Sequence, residues 1–351
     1  MLKKVLFLSL FLLISVFAIA QVTGTVAEID KYGNVHTDIL QEKMEAAGLE
    51  VGDMLQVTHG EEIIEVPFVT TYGDVDRGSV LVRISGGHVL IAVNYGNCSK
   101  TYGLNLEDTV EISLVAKGTY KEELEIRHLV RTEERSDYAS NEIFSNFREI
   151  NMGDIKSGLL YRTSHPSMDD PRSPYAAKFV EAAGIETVIN LSDSDEELAE
   201  NYTFNEYYKS LGEQGKVINL NMGVDLLSDE FAQKLQEGLL FIIDNEPPYL
   251  VHCVEGKDRA GMVSAILGAI MNATTEEIYK DYVISYENYY NVEPGTPAYT
   301  AVENIIVGIL KSMNYENAVD NGNVKDVVVE YLKERVGLTE EQISELQGKL
   351  R

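Results

Sequence analysis

Two rhythms of apolar and polar positions divide the chain. Between Gln21 and about Val115 the runs are short and β-like. Val22–Ile29 alternates, Lys31-Tyr32-Gly33-Asn34 reads as a turn, and Ser79–Val93 holds two apolar runs around Gly86-Gly87, a hairpin signal. The segments GLEVGDMLQV (48–57) and GLNLEDTVEI (103–112) rhyme. Each sets Gly-Leu and an acid ahead of an alternating strand, which predicts one turn-and-strand device used twice within a small barrel.

The second rhythm alternates strands with helices. Strand-like runs at Gly158–Arg162, Glu186–Ser192, Val217–Asn221 and Tyr249–Cys253 are separated by helical patterns through Ala176–Ala183, Glu196–Ser210 and Asp229–Ile243. Such alternation predicts an α/β domain with a mostly parallel sheet flanked by helices, whose ligands bind beyond the carboxyl ends of the strands. From Met262 onward the pattern is helical, with capped starts at Thr274 and Thr339. Between the two rhythms lies the charged run Arg131-Thr132-Glu133-Glu134-Arg135-Ser136-Asp137. The expected organisation is a β-barrel module over residues 21–116, a linker over 117–140 and the α/β domain over 141–351.

Ahead of the barrel, Lys3-Lys4, the apolar stretch Val5–Phe17 and Ala18-Ile19-Ala20 read as the basic, hydrophobic and cleavage regions of a signal peptide, residues 1–20. The uninterrupted apolar stretch is shorter than the roughly 20 residues of a spanning helix. A secreted or extracytoplasmic protein starting at Gln21 is expected, with no integral membrane segment after cleavage. Cleavage takes away two lysines and no acid, so the net charge of −28 becomes −30. That field repels polyanions, so binding of nucleic acid along a basic face is not expected, and an anionic substrate needs a local site. Cys98 and Cys253 fall in different predicted domains, which argues against a disulfide.

The chemistry concentrates in HCVEGKDRAG, residues 252–261, between the last predicted strand and a helix. A loop at that place aims backbone N–H groups in one direction, and the helix N-terminus adds positive potential, so it suits an anion. Cys253 opens the loop and Arg259 closes it, with Val254, Glu255, Gly256, Lys257, Ala260 and Gly261 as the remaining binding positions. Donors that hold a phosphate also favour a thiolate, which makes Cys253 the candidate nucleophile. Arg259 offers two parallel N–H donors to phosphoryl oxygens. Asp258 is the first candidate for the general acid, Asp225 the reserve and Asp193 a weaker third. Lys257 is placed to attract the phosphate. His252 is expected to shape the loop and not to act as a base. Arg148 and Arg162 are expected to pair with acids around the sheet, and Tyr286, Tyr289 and Tyr290 to pack one helix face. No cofactor and no metal site are implied.

The loop resembles the signature of the cysteine-dependent tyrosine phosphatase family, in the branch that reads H-C-x-x-G-K-D-R-T-G. Asn146-Phe147-Arg148, GLLYRT (158–163), GIETVINL (184–191) and the closing Tyr331-Leu332 to Thr339 resemble that branch in the same order, over about Asn141 to Leu350. The resemblance implies Cys253 as nucleophile, Arg259 as phosphate ligand, Lys257 in support and Asp258 as acid. It leaves phosphotyrosine, a phosphoinositide and an inositol phosphate open as substrate, hence a protein, lipid or small-molecule partner. Two departures stand out. Position 260 is Ala where the family usually carries a hydroxyl, which suits slow turnover or a low-turnover binding module. The chain has no Trp and so no Trp-Pro-Asp acid loop. The front part, roughly Val22 to Leu114, resembles the C-terminal β-barrel domain of the S-adenosylmethionine hydroxide adenosyltransferases. Its activity is not implied, because the partner domain that completes their site has no room in this chain.

Overall fold

The computed structural model describes residues 20–201 and 205–351. Residues 1–19 of the expected signal peptide, and 202–204 within the expected Glu196–Ser210 helical stretch, lie outside the described residues. The chain divides into two compact units, with the boundary between Arg127 and His128.

The first unit is a nearly closed antiparallel barrel. Its strands are β1 (Gln21–Ile29), β2 (Val35–Leu40), β3 (Met54–His59), β4 (Glu62–Pro67), β5 (Val80–Ser85), β6 (His88–Val93) and β7 (Thr109–Ala116). They run in the order β4-β3-β7-β1-β2-β6-β5, and a bridge from Phe68 to Val82 draws the two edges together. Near-closure leaves little exposed edge to invite other strands to pair. Inward positions such as Val26, Val35, Ile39, Leu55 and Ile112 form one core with Cys98. Burial pushes the Cys98 thiol up to about 12, as expected for a packed thiol.

The β5–β6 hairpin turns on Gly86 and Gly87, both at positive φ, the geometry a two-residue turn demands. The two rhyming segments supply β3 and β7, which pair with each other. Both use the same turn: the Glu50 N–H donates to Asp53 at 2.8 Å, and the Asn105 N–H donates to Asp108 at 2.6 Å. Of residues 117–140, the early part is tied to the barrel unit, where Lys117 donates to Asp53 at 3.1 Å and the Tyr120 hydroxyl to the Asp74 carbonyl at 2.9 Å. Thr132 and Tyr138 are held in the second unit, where Arg172 donates to the Thr132 carbonyl at 2.8 Å and to the Tyr138 hydroxyl at 2.9 Å.

The second unit is the α/β region, with β8 (Arg148–Glu149), β9 (Leu160–Thr163), β10 (Thr187–Asn190), β11 (Val217–Asn219) and β12 (Tyr249–His252) in the order β11-β10-β12-β9-β8. All pairs are parallel except β8–β9. β12 is the middle strand. Every residue of β10 and β12 is buried, which explains why these strands read as continuous apolar runs rather than alternating ones. The helix Asp258–Ile270 follows β12 directly and is buried on all sides from Ala260 onward. Each fully buried Ile or Leu there contributes about 1.5–3 kcal/mol of transfer free energy. The helices Thr275–Tyr290 and Glu340–Lys349 begin with capping boxes, Thr274 with Glu277 and Thr339 with Gln342, as their sequences predict.

Candidate active site

Cys253 leaves the carboxyl end of the middle strand, and residues 253–257 turn into the helix Asp258–Ile270. The loop is held from outside by its carbonyl oxygens. The Val254 carbonyl accepts from the His165 N–H at 2.9 Å. The Glu255 carbonyl accepts from Asn146 Nδ2 at 3.0 Å and from the Tyr289 hydroxyl at 2.8 Å. The Gly256 carbonyl accepts from Arg162 Nη2 at 2.7 Å and Asn146 Nδ2 at 3.1 Å, and the Lys257 carbonyl from Arg162 Nη2 at 2.7 Å. In a trans peptide the C=O of one residue and the N–H of the next point in opposite directions. Four successive carbonyls turned to the scaffold therefore turn the N–H groups of Glu255, Gly256, Lys257 and Asp258 the other way, into an anion cup at a helix N-terminus.

Gly256 makes this turn possible. Its φ of +64° is left-handed, and a Cβ there would strike the Thr163 main chain. At Gly261 a Cβ would meet the Tyr282 ring at 2.7 Å, so the glycine lets the helix Thr275–Tyr290 approach. Ala260 is fully buried in the first turn of the helix. Neither Ala260 nor Gly261 is among the residues lining the pocket over the loop.

Beneath the loop lies a buried polar cluster. Arg162, with no exposed surface, donates to Asp281 at 2.6 Å, and Arg148 donates to the same carboxylate at 2.9 Å. Burial alone would push the Asp281 carboxyl up, but Arg148 and Arg162 outweigh it and hold it below the usual range. The two arginines thus pair with an acid, as expected from the sequence, and Arg162 also carries the loop.

A pocket of about 420 Å³ opens over the cup, lined by Met222, Gly223, Val224, Cys253, Val254, Glu255, Asp258 and Arg259. Arg259 Nη1 donates to the carbonyls of Leu191 and Met222, each at 3.1 Å, which fixes the guanidinium beyond the carboxyl ends of β10 and β11. Cys253 is nearly buried and, like Cys98, free. Asp258 accepts from the Tyr286 hydroxyl at 2.9 Å and the Tyr282 hydroxyl at 3.4 Å, which orients its carboxylate at the pocket wall. Burial raises both phenols, so they remain protonated donors.

The other acid candidates sit elsewhere. Asp225 is exposed and accepts from the Leu227 N–H at 3.2 Å, in a turn. Asp193 is buried against His165 Nε2 at 2.7 Å. Burial would push its carboxyl up, but the hydrogen bond and charge of His165 hold it well below the usual range. Lys257 is not among the residues that line the pocket. Its ammonium lies 3.0 Å from Glu255 and 3.8 Å from Asp258, donates to the Tyr290 hydroxyl at 3.1 Å, and stands over the Tyr286 and Tyr290 rings. His252 points into the core, its Nε2 at 2.8 Å from the Tyr208 hydroxyl.

The tyrosines of the helix Thr275–Tyr290 do more than pack. Tyr282, Tyr286, Tyr289 and Tyr290 present hydroxyls to the loop from one helix face, a pattern readable as i, i+4, i+7, i+8 spacing. Asn146, more than 100 residues before the loop, and Asp281 and Ser285, on the helix Thr275–Tyr290, carry no local signal that ties them to it. Only the fold brings them together.

A family model described as "Tyrosine phosphatase family" matches residues 141–351. The chain belongs to the tyrosine phosphatase family. The matched region contains the whole cup. A second model, "SAM hydroxide adenosyltransferase C-terminal domain", matches residues 24–111, within the barrel. No curated protein matches this chain. Among solved structures, an uncharacterized conserved protein from Thermotoga maritima is 33% identical over 26% of this chain and 36% of its own, with a TM-score of 0.26. A conserved hypothetical protein from Thermus thermophilus is 26% identical over 26% and 34%, with a TM-score of 0.20. This chain thus spans about a third of the length of each. The core catalytic domain of the PP-IP phosphatase SIW14 from S. cerevisiae is 15% identical, over 49% of this chain and 93% of its own, with a TM-score of 0.29.

Proposed function

We propose that this protein is an exported phosphatase that hydrolyses phosphomonoesters, phosphotyrosine among them, through a phosphocysteine at Cys253. The Cys253 thiolate attacks phosphorus and the bond to the ester oxygen breaks. Asp258 delivers a proton to the departing oxygen. Water then attacks the phosphocysteine, the S–P bond breaks, and inorganic phosphate leaves. The N–H groups of the cup and the fork of Arg259 hold the phosphoryl oxygens and strengthen their hold as charge builds on them in the transition state.

The observation that carries this reading is the outward turn of four loop carbonyls, which points the intervening N–H groups at the space where Cys253 and Arg259 meet one pocket. Asp258 is favoured as the acid because it alone of the three candidates lines that pocket. The apolar walls Met222, Val224 and Val254 suit an aromatic leaving group.

The test is phosphate release from an aryl phosphate and a phosphotyrosine peptide by the wild type and Cys253→Ser, with EDTA present. Turnover by the wild type that vanishes in the variant supports the reading, and equal rates from both refute it. Export rests on the pattern of residues 1–20 and is tested by sequencing the N-terminus of the natural protein, expected at Gln21.

A further inference from the structure

We infer that Glu255 is a specificity-determining residue, confining this phosphatase to esters whose leaving group carries no further phosphate near the scissile one. The inference rests on the phosphatase reading above and concerns the charge that the same pocket accepts.

Of the charged side chains that line the pocket, only Arg259 is a cation, while Glu255 and Asp258 are acids. The loop's own lysine does not redress this balance. Lys257 is 8% exposed and caged by Glu255, Asp258, the Tyr290 hydroxyl and two aromatic rings. Burial alone would lower its ammonium, yet Asp258 and Glu255 outweigh burial and keep it charged. The cation is therefore retained but spent on the wall.

Glu255 is itself clamped at both oxygens. Oε2 faces Lys257 at 3.0 Å, and Oε1 accepts from Arg131. Arg131 stands over the Tyr289 ring at 5.1 Å and pairs with Glu133 at 3.1 Å. It comes from the segment ahead of the family-matched residues. A second phosphate beside the scissile one would meet the Glu255 carboxylate with no free lysine to receive it. At such short range and partial burial the repulsion is little screened by salt, unlike that of the overall negative charge.

The experiment compares kcat/KM for an aryl phosphate and for a soluble inositol polyphosphate, in the wild type, Glu255→Gln and Arg131→Gln, at about 0.05 M and about 0.5 M salt. The wild type is expected to favour the aryl ester at both. Glu255→Gln should shift the ratio toward the polyphosphate by about tenfold or more at both, and Arg131→Gln, which leaves the carboxylate less neutralised, should shift it the other way. A ratio unchanged in Glu255→Gln, or a wild type that prefers the polyphosphate, overturns the inference. Calorimetric binding of phosphate and pyrophosphate to the wild type needs no variant to fold and no turnover. Phosphate should bind more tightly, and pyrophosphate binding equal or tighter overturns the inference. A wild type inert toward every ester refutes the phosphatase reading instead, and the binding comparison still decides the charge preference.

Discussion

Arg162 reaches from β9 beneath the loop and donates to the Gly256 carbonyl at 2.7 Å from the same nitrogen that serves Lys257. One buried guanidinium thus fixes two of the four carbonyls whose orientation makes the cup. Arg162→Lys loses the planar fork but keeps the charge that Asp281 needs. We expect phosphate inhibition to weaken about tenfold or more while the protein still folds. Arg162→Ala removes one of the two partners of buried Asp281 and should cost about 3–5 kcal/mol in denaturant unfolding. Phosphate affinity unchanged in the lysine variant would contradict this role.

Asp258 is positioned by two phenols at the pocket wall, so its removal should be felt where the leaving oxygen needs a proton. Asp258→Asn is predicted to slow hydrolysis of an alkyl phosphate by about 10²–10⁴. With a nitrophenyl ester, whose phenolate leaves unaided, the loss should be much smaller. Equal losses for both esters would remove Asp258 from the acid role.

His252 gives a dependence on pH that concerns stability. Burial first, and the neighbouring His165 second, hold its imidazole neutral, well below the ordinary value. Asp193, the Tyr208 hydroxyl, the Cys253 carbonyl and Arg259 also act on this pair. The unfolded chain takes up a proton near pH 6.5 that the folded chain refuses, so stability is lost as pH falls below about 6.5, by up to about 1.4 kcal/mol per unit. In His252→Asn this contribution disappears. The difference in unfolding free energy between wild type and variant should therefore rise between about pH 5 and 6.5 and flatten above it. A difference independent of pH would contradict the assignment.

Ala260 leaves the first turn of the helix Asp258–Ile270 without a side-chain hydroxyl. Breakdown of the phosphocysteine should then limit turnover. Rapid mixing with a nitrophenyl ester is predicted to show a burst of phenolate close to the enzyme concentration, and Ala260→Ser should raise the steady rate and shrink the burst. A linear release in both proteins would contradict this.

Much of the architecture was legible because it rests on local patterns. The Gly86-Gly87 hairpin, the repeated Asp53 and Asp108 turns, the boxes at Thr274 and Thr339 and the strand–cysteine–loop–helix order are all written in neighbouring residues. Gly256 and Arg259 were readable for the same reason. The two-residue strand Arg148–Glu149 was not, because its pairing with β9 is tertiary and too short for a period. Lys257 shows the limit most clearly. Its place in the loop says nothing of where a long, flexible side chain goes, and here Glu255, Asp258 and Tyr290 draw it off the pocket. The anchoring of the loop by Asn146 and Arg162 was equally hidden, since it joins segments far apart in sequence.

The central claim is that the Cys253 sulfur takes the phosphoryl group. Acid quenching during turnover of an aryl phosphate, followed by proteolysis and mass spectrometry, tests it most directly. The account predicts a phosphoryl adduct on Cys253, absent from Cys253→Ser and from enzyme mixed with the ester after denaturation. Turnover with no adduct on that cysteine, or an adduct on a different residue, would contradict it.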